Sequence, residues 1–60
     1  MRMTPKAALI QDRLGKPLED WLLSAVGRGR SYRKIAAQIQ EETGVVVSHE
    51  TVRLWLDQLR

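Results

Sequence analysis

The side chains able to do chemistry in this chain of 60 residues are sparse, and their spacing does not suit catalysis. His49 is the only histidine and cysteine is absent, so neither a thiolate site nor a multi-histidine metal site can be assembled. Glu41 and Glu42 are neighbours near a helix end and point in different directions, which makes no carboxylate pair for acid–base work. A glycine-rich phosphate loop and a Ser/His/Asp arrangement are both missing, and there is too little chain to enclose a pocket. The expectation is a protein that is not an enzyme and uses no cofactor, metal or small-molecule substrate. What stands out instead is cationic. The run Gly27-Arg28-Gly29-Arg30, closely followed by Arg33 and Lys34, reads as a tight connection between two helices that carries arginines able to reach a phosphate.

The formal charge is +3, and the excess lies wholly in residues 1–30, where Arg2, Lys6, Arg13, Lys16, Arg28 and Arg30 outnumber Asp12, Glu19 and Asp20. Residues 31–60 balance Arg33, Lys34, Arg53 and Arg60 against Glu41, Glu42, Glu50 and Asp57. A basic balance favours a polyanionic partner through the summed field. The plainer alternative is a solvated surface with a small surplus of lysine and arginine.

These groups have to be positioned by something, and the chain's punctuation supplies four helical pieces within a single domain over 1–60. The first, 4–14, opens at Thr4-Pro5, a hydroxyl cap followed by proline where its missing N–H costs nothing. It closes near Gly15, with Ala7, Ile10 and Leu14 on one side. The second, 17–26, opens at Pro17 and places Glu19 and Asp20 at the positive end of the helix dipole. Its apolar face is Leu18, Trp21, Leu22, Ala25 and Val26, and Gly27 and Gly29 end it. The third, 31–43, is capped by Ser31 and aligns Tyr32, Ile35, Ala36, Ile39 and Thr43, with Gly44 offering a left-handed stop. Val45-Val46-Val47 is too short for a sheet and reads as an extended connection, one or two of its valines plugging the core. Ser48 caps the fourth piece, 48–59, whose buried stripe is Val52, Trp55, Leu56 and Leu59. The fold class expected is all-α, a small three- to four-helix domain. A chain of this size buries only about 60% of the surface its unfolded form exposes, so the core is small.

The stretch Ser31-Tyr32-Arg33-Lys34-Ile35-Ala36-Ala37-Gln38-Ile39, then Gly44, then Ser48-His49-Glu50-Thr51-Val52-Arg53-Leu54-Trp55-Leu56 carries a pattern. It resembles the helix-turn-helix of bacterial and phage regulators and of transposase or recombinase DNA-binding domains, of the homeodomain-like tri-helical type. The resemblance covers about half the chain, and 17–26 fits the family's supporting helix. Its physical logic is visible in the residues. Two helices crossing steeply need a small residue at their closest approach, which Ala36 supplies, and interlocking branched residues, which Ile35, Ile39 and Val52 supply. One departure is the turn, usually about three or four residues long, whereas here Ser48 follows Ile39 by nine positions. Residues 40–43 read as an extra helical turn followed by a longer connection.

The resemblance implies sequence-specific binding of double-stranded DNA, with the N-terminal part of the fourth helix in the major groove. If Val52 faces inward, Glu50, Arg53, Leu54 and Asp57 point away from the core, with Ser48 and His49 at the tip. Arg53 is then the candidate for a bidentate contact to guanine. Ser48 and His49 would bond a base edge or phosphate, Glu50 would accept from cytosine, and Leu54 would touch a thymine methyl. Arg28, Arg30, Tyr32, Arg33 and Lys34 are the implied phosphate contacts, which position without reading. Each has a plainer role. Arg53 can pair with Glu50 or Asp57, Glu50 can serve the helix dipole, and Ser31 is chiefly a cap. Trp21 and Trp55 are core anchors with a wet edge.

The expected function is therefore that of a phage or bacterial transcriptional regulator, or of the DNA-binding part of a larger transposase or recombinase. The alternative is a small helical protein–protein interaction module, which the acidic residues of the last helix suit. Leu23 and Leu54, predicted to face outward, are candidate homodimer or partner contacts. No apolar run approaches the roughly 18 residues that cross a bilayer, and no secretory signal is evident, so a cytoplasmic protein without membrane contact is expected.

Overall fold

The computed structural model describes residues 2–59; Met1 and Arg60, the ends of the expected domain, lie outside the described residues. Four helices follow in order: α1 (Pro5–Leu14), α2 (Leu18–Gly27), α3 (Tyr32–Thr43) and α4 (His49–Leu59), with no strand among the described residues. The chain is thus all-α, as its punctuation implies.

Each boundary has a local cause. The Thr4 hydroxyl accepts from the Ala7 N–H at 3.1 Å, satisfying one of the open donors at the start of α1. Gly15 then turns the chain at φ 71°, a backbone region that side chains disfavour. Pro17 stands one residue outside α2 rather than in its first turn, and no side chain of its own caps the helix. Gln11 does that from α1, its Oε1 accepting from the Leu18 N–H at 2.9 Å. At the far end Gly27 remains helical, and Gly29, at φ 79°, makes the turn. The Arg30 N–H bonds back to the Ala25 carbonyl there. The Ser31 hydroxyl accepts from the Lys34 N–H at 3.2 Å and starts α3.

The apolar stripes converge. Ile10, Leu18, Leu22, Ile35, Ile39, Val52 and Leu56 are fully enclosed, and Trp21 and Trp55 are buried beside them. The expected inward residues Leu14, Val26, Tyr32 and Leu59 are only partly buried, packed against the rim of this core. Long or end-of-helix side chains cannot all fit inside four helices this short. Of the three valines, Val45 and Val47 are buried while Val46 is 63% exposed, the alternation of an extended segment. α3 packs on α4 and on α1, and α2 packs on α1 and on α4. Ala36 lies on the buried core face of α3, 8% exposed.

Candidate nucleic-acid interface

The connection from α3 to α4 decides how α4 is presented, and the structure builds it from several polar contacts. Gly44 caps α3 at φ 75°, its N–H bonding to the Gln40 carbonyl at 2.8 Å. Thr43 is buried. Its hydroxyl donates to the Ile39 carbonyl at 2.6 Å and accepts from the Val45 N–H at 3.2 Å. Two cations of α1 reach across to the same segment. Arg13 Nη1 donates to the Thr43 carbonyl at 2.7 Å, and Lys6 Nζ donates to the Val46 carbonyl at 3.0 Å. The long turn is therefore held on one side by its own buried valines and on the other by α1. Neither bond could be foreseen from local sequence, because each partner is a backbone carbonyl 30 or 40 positions away.

Ser48 then opens α4. Its Oγ accepts from the Thr51 N–H at 3.2 Å and lies 3.1 Å from the Thr51 hydroxyl. The residue proposed to touch DNA from this position is thus occupied as a cap, although it stays exposed. His49 and Glu50 follow on the exposed tip. With Val52, Trp55 and Leu56 buried, Glu50, Leu54 and Asp57 lie on the outward face, and Leu54 is 51% exposed.

Arg53 flanks that face and is held by its neighbours. Nη2 donates to Glu50 Oε2 at 2.8 Å, and Nη1 donates to Asp57 Oδ2 at 3.2 Å. These are the i,i+3 and i,i+4 positions at which helix side chains meet. The hydrogen bond and charge of Arg53 hold the Glu50 carboxyl below its ordinary range. In turn the hydrogen bond and charge of Glu50, with smaller help from Asp57 and the Tyr32 phenol, keep Arg53 protonated beyond its ordinary range. Tyr32, the first residue of α3, is partly buried against the core.

The remaining expected phosphate contacts divide. Arg28 and Arg30 join Lys16 around a cleft of about 380 Å³ between α2 and α3, floored by Trp21 and Ala25. Arg30 and Lys34 line a second, shallower groove beside Gln38, Glu41 and Glu42. Arg30 donates to the Gln38 side chain, which turns it along α3. Arg33 is exposed on the first turn of α3. So Arg28, Arg30 and Lys34 gather on the α2–α3 side, where Asp20 and Glu42 partly offset them. No group of acidic, histidine or cysteine side chains that could hold a metal occurs among the described residues, and no described helix is long and apolar enough to cross a membrane.

Comparison of the chain with family models found no match, and neither did comparison with curated proteins or with solved structures.

Proposed function

We propose that this domain binds double-stranded DNA in a sequence-specific manner, with α3 and α4 as a helix-turn-helix and α4 in the major groove. It would act as a phage or bacterial regulator, or as the DNA-binding part of a transposase or recombinase. One observation carries this reading: α4 is a capped helix braced by α3 and by a pinned turn, with its outward side chains exposed. A helix held this way can enter a groove of roughly 12 Å without losing its packing. Arg53 contacts guanine, His49 and Leu54 lie against base edges, and Arg28, Arg30, Arg33 and Lys34 supply phosphate contacts.

Selection of bound sites from a random duplex pool tests this. Recovery of one recurring motif is expected, with affinity that falls steeply as salt rises. A pool that stays random after repeated rounds would overturn it.

A second reading has an observation of its own. Arg53 is already paired with two carboxylates, and Leu54 stands exposed among them, a surface that also suits a protein partner or a second copy of the chain. Salt-insensitive behaviour and no affinity for random duplex at low salt would favour it.

A further inference from the structure

The outward face of α4 holds one cation between two anions, and this ratio bears on how a base edge is told from a phosphate. The bonds from Arg53 to Glu50 and Asp57 engage one N–H on each terminal nitrogen. Three of the five guanidinium donors remain, so Arg53 can keep both carboxylates and still offer a pair of N–H groups elsewhere.

We infer that Glu50 and Asp57 are positioning residues that set specificity: they hold the Arg53 fork for a neutral base edge and keep the DNA backbone away from it. The inference rests on the DNA-reading proposal and refines it, since Glu50 then brackets Arg53 instead of reading cytosine.

The physical case is one of range and sign. The three side chains together carry a net negative charge. A phosphate arriving at Arg53 comes within bonding distance of the guanidinium, and both carboxylates stand inside the Debye length of about 10 Å at 0.1 M salt. Attraction to Arg53 is thereby largely offset for an anion. Guanine O6 and N7 are acceptors without net charge, so the same carboxylates oppose them far less. Spacing sets the direction of the bracket: Glu50 lies one turn before Arg53 and Asp57 one turn after it. All three side chains are about half exposed, at 59%, 42% and 53% for Glu50, Arg53 and Asp57. Ion pairs that exposed add little to fold stability, so the bracket's effect should be read in binding.

The test uses Glu50→Gln, Asp57→Asn and the double variant, each in the natural and in the Arg53→Ala background. Affinities are measured for the selected site and for a random duplex, with melting curves to confirm folding. The double variant removes two negative charges from the face that meets the phosphates, so it should bind random duplex several-fold more tightly at low salt, a gain that shrinks as salt rises. Affinity for the selected site should rise much less, and the ratio between the two should drop several-fold. In the Arg53→Ala background the same substitutions should leave that ratio unchanged, because the carboxylates act through Arg53. An equal gain on both duplexes would overturn the inference, leaving only a change in overall charge. Loss of discrimination at one base pair in Glu50→Gln, with Asp57→Asn silent, would also overturn it, since Glu50 would then read a base directly. If the natural protein selects no site, the DNA reading itself fails before any variant is made, and the inference falls with it.

Discussion

Thr43→Val isolates the polar side of the α3–α4 connection with almost no change of shape. Thr43 is 5% exposed. Its hydroxyl satisfies the buried N–H of Val45 at 3.2 Å while donating to the Ile39 carbonyl at 2.6 Å. Replacing the hydroxyl by a methyl leaves the Val45 N–H without its acceptor, at a cost of about 1–3 kcal/mol. The added methyl returns up to about 0.8 kcal/mol of apolar burial. The expected net loss is about 0.2–2 kcal/mol, and in a domain of this size each kcal/mol lowers Tm by about 4–8 °C. Thr43→Ser is the control, because it keeps the hydroxyl and gives up only a methyl, at about 1 kcal/mol. Denaturation curves measure the two losses, and amide hydrogen exchange at Val45 separates their causes. Protection at Val45 should fall in Thr43→Val beyond the fall in global stability and should persist in Thr43→Ser. A Thr43→Val protein as stable as the natural one, with Val45 still protected, would refute the account of the turn.

The other outcomes follow from the same geometry. Ala36→Leu should overpack the buried face of α3 and cost about 1–3 kcal/mol by chemical denaturation; an unchanged midpoint would mean there is room beside Ala36. Arg53→Ala should weaken the selected site by roughly 10–100-fold, mainly at one base pair, while Arg53→Lys rescues poorly for lack of a planar fork. Competition against single-base site variants checks this. Joint replacement of Arg28, Arg30 and Lys34 by alanine should weaken all duplexes alike and flatten the salt slope by roughly 0.9 per lost phosphate contact. Arg53 depresses the Glu50 carboxyl, so the stabilising contribution of its ionised form is present above the ordinary glutamate range and is lost as pH falls through the lowered folded value. An NMR titration of Glu50 should therefore show a midpoint below the ordinary value, and Arg53→Ala should return it upward.

Much of the fold was legible because the cues are local. Thr4, Ser31 and Ser48 cap helices by reaching three residues along the chain, and Gly15 and Gly44 stop helices through their own backbone angle. The buried stripes of all four helices repeat with the helical period, and the valine alternation repeats with the strand period, so both are written within a few residues. Where sequence reading slipped, the deciding partner was distant. Pro17 stays outside α2, where Gln11 of α1 supplies the cap. The cations Lys6 and Arg13, which count in the sequence only as net charge, are used to pin the turn before α4. The charge cluster around the start of α3 is drawn to one side because Arg30 turns toward Gln38 and the α2–α3 cleft. The spacing of Glu50, Arg53 and Asp57 allowed either an ion-paired surface or a free arginine, and the folded helix has both carboxylates on it. Caps, stripes and helix ends depend on neighbours along the chain, so the sequence alone determines them. The brace under α4 and the direction of each cation depend on carbonyls and side chains that only packing of the four helices brings within reach.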